Sequence, residues 1–236
     1  YLGFGVWSLA FAKVVELATK VGMYQFYSKV TFGLTKDMTG AREWFTFLYK
    51  FQSNSFIWYA YNRIDTFIVG RYLGMKVLGV YNVGVEIASI PSTKLSAIMS
   101  QVGFAGFSKT NQSDLQTQQQ FFKKAMLYTT LLTAPVFFGI AATAKEFLEL
   151  LIDVRWHGAI DIIEIFCIVF PLRMNNTVLQ TYLNSIDKPG ENVKNTLFVA
   201  VGVISGVCFG IAYGLVGVAI GWVCGFLFGF ISSLIR

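Results

Sequence analysis

Seven apolar runs, each long enough to cross a bilayer, constrain the fold of this chain more than any other feature. A transmembrane α-helix needs roughly 20 predominantly apolar residues, and lipid offers backbone groups no hydrogen-bond partners outside the helix. We therefore predict an all-α protein, a polytopic transmembrane helix bundle of about seven spans. The predicted spans are Leu2–Tyr27, Trp44–Val69, Val77–Phe107, Phe121–Ile152, Ala159–Leu183, Val193–Tyr213 and Leu215–Ile235.

The composition supports a chain whose main partner is the lipid bilayer. Hydrophobic residues make up 55% and charged residues 14%, whereas soluble domains carry about 25% charged residues. The net charge of +6 could indicate nucleic-acid binding. The basic residues, however, are concentrated in the short gaps between apolar runs, which favours a membrane protein and argues against nucleic acid.

The distribution of positive charge predicts the orientation. Gaps on one side, together with the last residue, hold Lys29, Lys36, Arg42, Lys109, Lys123, Lys124, Lys188, Lys194 and Arg236. Gaps on the other side hold Arg71, Lys76, Lys145 and Arg155. The positive-inside rule puts the richer side in the cytoplasm. We expect a multi-pass protein of the bacterial cytoplasmic (inner) membrane.

Glycines recur every fourth residue in the last two spans. This spacing lets helix backbones approach closely in lipid, so we interpret the glycines as packing residues. They are Gly202, Gly206, Gly210 and Gly214, followed by Gly217, Gly221, Gly225 and Gly229.

Charges inside the spans are the first candidates for function, because a charge at the centre of a membrane helix costs roughly 2.5–3.5 kcal/mol. In the first span three charges share one face at spacings of three and four, which also fits an internal ion-pair ladder. In the third span two charges flank Pro91, where a freed carbonyl can kink the helix. These candidates are Lys13, Glu16, Lys20, Arg63, Asp65, Glu86 and Lys94.

Arg173 is the strongest ligand candidate. It lies near the middle of the fifth span, two residues after Pro171, and Asn176 and Gln180 follow on the same helical face. A guanidinium offers a planar fork of donors that matches phosphate. Pairing with Glu86 or Asp65 across the bundle is the structural alternative.

No constellation for catalysis is evident. There is no nucleophile site, P-loop or metal-binding motif, and the three cysteines lie singly inside apolar runs. We therefore predict a protein that is not an enzyme and needs no cofactor. A membrane-embedded sugar-chain ligase or polymerase is the alternative of another class, although it would usually carry a large outer loop. A non-catalytic scaffold is a further alternative.

Several short motifs resemble polysaccharide flippases of the Wzx type, which serve O-antigen and lipopolysaccharide biosynthesis. Gly3-Phe4-Gly5-Val6-Trp7 resembles the entry to their sixth helix. The stretch from Asp65 to Gly74 resembles their D-x-x-x-x-G-x-x-L-G sequence, and it is followed by Leu78-Gly79-Val80-Tyr81-Asn82 and Pro91. The segment from Gly214 to Gly221 resembles their penultimate hairpin.

The resemblance implies the polysaccharide transporter family of the multidrug/oligosaccharidyl-lipid/polysaccharide exporter superfamily, whose members have two six-helix lobes around a cavity. Residues 1–43 would be the last helix of the N-terminal lobe and a cytoplasmic inter-lobe linker. Residues 44–236 would be the C-terminal six-helix lobe. Because the chain opens with Tyr1 inside an apolar run, we expect the rest of the N-terminal lobe to precede it.

The implied activity is the export of undecaprenyl-pyrophosphate-linked oligosaccharide by alternating access, in contact with other polysaccharide assembly proteins. Substrate would be bound by Arg173, Lys94, Arg63, Asn176 and Gln180. Charge balance or ion coupling would fall to Glu86, Asp65, Lys13, Glu16 and Lys20. A drug/cation antiporter and a peptidoglycan-precursor flippase of the same superfamily are the alternatives.

Overall fold

The computed structural model describes residues 7–27, 41–110, 115–151, 154–186 and 188–235. The chain divides into two compact units, residues 1–44 and 45–236. The described part of the first unit is mainly helix α1. The α-helices are α1 (Trp7–Tyr27), α2 (Ala41–Tyr72), α3 (Met75–Thr110), α4 (Leu115–Leu151), α5 (Ala159–Ser185), α6 (Pro189–Gly210) and α7 (Gly214–Ile235).

Helix α5 is the centre of the second unit. Two thirds of its most apolar window (67%) is buried, against 17% for α4 and 28% for the α6–α7 segment. Its buried residues cover most of its circumference, and the exposed residues of its first half form a single stripe, Asp161, Glu164, Ile168 and Leu172. It packs against α3, α4 and α7. Pro171 is buried within it.

A glycine in the left-handed region separates α2 from α3. Gly74 has φ +87°, a conformation that side chains with a Cβ rarely adopt, and it follows the last turn of α2. The Leu73 N–H donates to the Val69 carbonyl at 2.9 Å, which completes that turn. Residues equally distant from Leu73 can therefore meet across the two helices.

The α6–α7 hairpin is held by direct backbone contact. A Cβ added to Gly206 would collide with the Gly221 carbonyl oxygen, and the reverse substitution would collide with the Gly206 carbonyl. Gly202 faces Gly225 in the same way, and Gly210 faces Gly217. These glycine pairs therefore form a packing seam, whereas Gly214, where an added Cβ meets nothing within 4 Å, is not part of it. The turn between the helices is a short 3-10 segment, Ile211–Tyr213, and ends at Gly214 with φ +75°.

The all-α membrane bundle predicted from the apolar runs is confirmed, and each described α-helix overlaps a predicted span, although α4 begins at Leu115, before the predicted start at Phe121. In the described part of the chain, three stretches are long and apolar enough to cross a membrane by composition: 116–150, 159–185 and the α6–α7 segment 189–234. The count of seven spans and the lobe assignment stay predictions. The predicted inter-lobe linker falls largely on residues 28–40, which lie outside the described residues.

Gly206→Ala tests the seam. The added methyl would force the two backbones apart, and such overpacking typically costs about 1–3 kcal/mol. We expect a lower thermal midpoint in detergent and less protein in the membrane. The matched control is Gly139→Ala on α4, where an added Cβ meets nothing within 4 Å, so stability should be unchanged or slightly raised. Equal effects of both substitutions would contradict direct backbone contact between α6 and α7 at the seam.

Candidate functional site

Arg173 lies where three helices meet. Its Nη2 donates to Oδ1 of Asn62 on α2 at 2.6 Å. Its guanidinium carbon lies 5.3 Å from the ring centre of Phe170 and 5.5 Å from that of Trp222 on α7. Aromatic faces attract a cation, and this attraction strengthens when water is excluded. The guanidinium is therefore held by one amide and two rings.

The Arg173 charge has no ion-pair partner among the described residues. The alternative prediction, direct pairing with Glu86 or Asp65, is not what the structure shows, because Asn62 takes the contact instead. Asp65 and Tyr61 lie within electrostatic range without forming a salt bridge. Asp65 therefore acts on the guanidinium electrostatically and not by direct contact.

Asp65 is a carboxylate buried within the bundle, with 4% of its surface exposed. The Tyr81 hydroxyl donates to its Oδ2 at 2.7 Å. The Thr66 backbone N–H donates to its Oδ1 at 2.7 Å. These bonds offset part of the cost of removing a carboxylate from water. Tyr81 is itself fully buried and packs edge-on against Phe166, 6.2 Å between ring centres.

We name Asn62, Asp65, Tyr81 and Arg173 the polar cluster. Asn62 and Asp65 are three residues apart and share one face of α2. One of them binds Arg173 and the other binds Tyr81, so this face links α3 to α5. An acidic and a basic group are held close together without neutralising each other directly.

Two further predicted binding residues follow Arg173 along α5. Asn176 is 6% exposed and Gln180 is half-buried. The neighbouring Asn175, which the sequence reasoning did not select, donates from Nδ2 to the Thr130 hydroxyl on α4 at 2.7 Å. Its Oδ1 is buried without a hydrogen-bond partner in the described structure.

The other predicted residues lie on exposed surfaces. Lys94 and Glu86 are on the exposed face of α3, and Arg63 is on α2 with its guanidinium 5.9 Å from the Tyr59 ring centre. No described contact joins these three to Arg173. In α1, Glu16 accepts from Lys13 at 2.8 Å and from Lys20 at 2.6 Å, which is the ion-pair ladder expected as one alternative.

Sequence reasoning missed Tyr81, Phe170 and Trp222. Tyr81 could have been found, because it and Asp65 are eight residues on either side of Leu73, beside the glycine turn. The rings of Phe170 and Trp222 carry no such signal, since apolar aromatics are common throughout the chain. In the described part of the chain, no group of three His, Cys, Asp or Glu residues could hold a metal ion.

Comparison with known proteins identifies the chain's relatives. The profile of a family described as "Polysaccharide biosynthesis protein" matches residues 1–161. The teichuronic acid biosynthesis protein TuaB of Bacillus subtilis is 25% identical over 58% of this chain and 28% of its own length. The lipopolysaccharide biosynthesis protein WzxC of Escherichia coli is 28% identical over 51% of this chain and 24% of its own.

The succinoglycan biosynthesis transport protein ExoT of Rhizobium meliloti is 28% identical over 67% of this chain and 32% of its own length. The matched part of the chain thus spans about a quarter to a third of each of these three relatives. No solved structure matches the chain. The apolar helices and these relatives indicate a multi-pass protein of the bacterial cytoplasmic membrane. Because the family profile covers more than half of the sequence, the chain belongs to the polysaccharide biosynthesis protein family, which confirms the predicted resemblance to the Wzx type.

Proposed function

We propose that this chain is part of a flippase that moves lipid-linked oligosaccharide or polysaccharide repeat units across the cytoplasmic membrane by alternating access. The observation that carries the proposal is the Arg173 guanidinium, held inside a bundle of apolar helices without a carboxylate partner among the described residues. Intramembrane charges usually face a bundle interior or a watery cavity and mark a substrate or ion pathway. A phosphate group linked to sugar fits an unpaired guanidinium.

The exposed face of α3 supports a water-lined pathway. Glu86, Thr93, Lys94 and Gln101 recur along one side of this helix and are all exposed, with Ile90 exposed between Glu86 and Lys94. The exposed side of α4 is different, because it presents Leu127, Leu131, Leu132, Val136 and Phe138. Exposing the charges of Glu86 and Lys94 to lipid would be costly, whereas the apolar face of α4 is suited to contact with lipid. We infer that Lys94 and Glu86 line an aqueous cavity, where Lys94 attracts the anionic substrate.

Asp65 is the best candidate for ion coupling. Its carboxylate is buried near Arg173 but is hydrogen-bonded by Tyr81, so binding of a proton or cation changes the charge of the polar cluster by one. Such a change alters the affinity of Arg173 for an anion, as coupling between two sites requires. A second lobe rocking against this one would complete alternating access.

A drug/cation antiporter of the same superfamily would need a site dominated by acidic groups. The polar cluster has one acid and one base, and neither forms an ion pair in the described structure. The cluster is therefore not dominated by acidic groups. The names of the relatives, which refer to teichuronic acid, lipopolysaccharide and succinoglycan, favour polysaccharide intermediates over peptidoglycan precursors.

Arg173→Gln and Arg173→Lys test the anion site in the complete protein. Gln keeps a group able to bond Asn62 but removes the charge. A hydrogen bond to a charged group is worth about 1.5–3 kcal/mol, so we expect export to fall roughly ten- to a hundredfold. Lys keeps the charge without the planar fork, so the loss should be smaller. The measurement is the amount of surface polysaccharide in cells that lack the chromosomal copy of the gene. It is normalised to the amount of the variant protein in the membrane.

Lys145→Ala is the matched control, because this lysine is exposed near the C-terminal end of α4. It belongs neither to the polar cluster nor to the exposed polar face of α3. It should export normally. Normal export by Arg173→Gln at normal protein abundance would remove Arg173 from the pathway.

Asp65→Asn tests the coupling. The amide keeps the size of the side chain and its acceptor for Tyr81, but it cannot lose or gain charge. We expect translocation of a fluorescent lipid-linked sugar in proteoliposomes to lose its response to an imposed proton or sodium gradient. Tyr81→Phe should weaken that response partly. Glu149→Gln on the exposed surface of α4 should leave it unchanged, and an unchanged response in Asp65→Asn would exclude Asp65 as the coupling group.

A further inference from the structure

The side-chain amide of Asn62 is held in one orientation by two hydrogen bonds. Its Nδ2 donates to the Trp58 carbonyl, one turn earlier on α2, at 2.7 Å. Its Oδ1 accepts from Nη2 of Arg173 at 2.6 Å. The reversed amide would place its nitrogen against a guanidinium and its oxygen against a carbonyl, so both bonds would be lost. Asn62 therefore presents an oxygen to Arg173.

Arg173 retains hydrogen-bond donors that Asn62 does not use. A guanidinium has several N–H donors, and in the described part of the chain Asn62 is the one residue that accepts a hydrogen bond from it. The Arg173 side chain is half-buried, so the surrounding helices do not close it off completely. An anionic ligand can therefore bind the guanidinium while the contact with Asn62 is kept.

The residue that touches Arg173 is uncharged, although the polar cluster contains an acid. Asp65 lies within electrostatic range of the guanidinium, but the Tyr81 hydroxyl and the Thr66 N–H hold its carboxylate, each at 2.7 Å. With one acid and one base in their charged forms, the cluster has no net charge. A carboxylate in place of the Asn62 amide would be almost the same size. It would nevertheless make the cluster negative and lie in direct contact with its base.

We propose that Asn62 is a positioning residue that fixes the Arg173 guanidinium for an anionic ligand and, because it is uncharged, does not compete with that ligand. This inference rests on the proposed function, in which the ligand is the phosphate group of a lipid-linked sugar. A carboxylate at the same place would form a salt bridge with Arg173 and occupy N–H groups that the phosphate requires. It would also repel the phosphate, since like charges placed side by side are costly.

A purely structural role for Asn62 leads to the opposite expectations. Asn62 joins α2 to α5, and it lies beside Tyr61, the first buried position among the described side chains of α2. If Asn62 only attached α2 to the bundle, a carboxylate would attach it more strongly through a salt bridge, and an alanine would release it. If Asn62 positions Arg173 for an anion, the carboxylate is the more harmful change and alanine is the milder one.

The experiment measures translocation of a fluorescent lipid-linked sugar in proteoliposomes of the complete protein, at a series of substrate concentrations and without an imposed ion gradient. The thermal midpoint of each variant shows that it is folded. Asn62→Asp should raise KM about tenfold or more, with a smaller effect on the maximal rate, because the salt bridge and the repulsion both oppose phosphate binding. Asn62→Ala should raise KM only about threefold, because it merely frees rotamers of Arg173.

Two further variants separate direct contact from net charge. Gln52→Glu is the matched control, because it adds the same charge to the exposed surface of α2 about 15 Å away, and it should leave KM unchanged. Asn62→Asp combined with Asp65→Asn restores the net charge of the cluster but keeps a carboxylate in contact with Arg173. KM should therefore stay raised in this double variant relative to Asp65→Asn alone.

A KM for Asn62→Asp equal to that of the unaltered protein would overturn the inference, as would a larger rise for Asn62→Ala than for Asn62→Asp. If Asn62→Asp does not accumulate in the membrane, a rise for Asn62→Ala as large as that for Arg173→Gln overturns the inference and a small rise supports it. An unchanged KM for Arg173→Gln would overturn the proposed function and this inference with it. A raised KM for Arg173→Gln beside a normal Asn62→Asp would overturn the role of Asn62 alone.

Discussion

A charge buried among apolar helices in lipid persists only where other polar groups or rings compensate it, and this constraint organises the centre of the second unit. Arg173 requires Asn62 and two aromatic faces, and Asp65 requires Tyr81 and the Thr66 backbone. These partners come from α2, α3, α5 and α7. The need to compensate two charges therefore fixes which faces of four helices meet.

The packing around the polar cluster uses two different kinds of surface. Helix α5 is buried by large side chains, and its rings form a continuous series with Trp222 and Phe226 of α7. Helices α6 and α7 meet without side chains between them along the glycine seam. In lipid there is little hydrophobic force between helices, so close van der Waals contact provides much of their association.

Much of the fold could be predicted from the sequence, because a long apolar run in lipid forms a transmembrane helix. The helix ends, the Gly214 turn and the glycine seam follow from local patterns of this kind. The candidate site could be predicted from the sequence only in part. Arg173 and Asp65 are conspicuous as charges within apolar runs, but the contact of Arg173 with Asn62 joins residues 111 positions apart. Which amide or ring compensates a buried charge is decided by helix packing, and local sequence does not encode it.

The exposed charges show the complementary difficulty. Lys94 and Glu86 look the same in the sequence as Arg173, since each is a charge inside an apolar run. In the structure they lie on an exposed helical face, whereas Arg173 lies within the bundle. A hydropathy pattern gives the depth of a charge in the membrane but not the direction in which it points around the helix.

The glycine seam has a mechanical consequence. Two helices whose backbones touch at three successive glycine pairs cannot slide or separate without losing all of those contacts, so α6 and α7 move as a single rigid plate. Trp222 belongs to that plate, while Phe170 and Arg173 belong to α5. A tilt of the plate relative to α5 thus moves one of the two rings away from the guanidinium, so the surroundings of the Arg173 charge depend on the position of the hairpin.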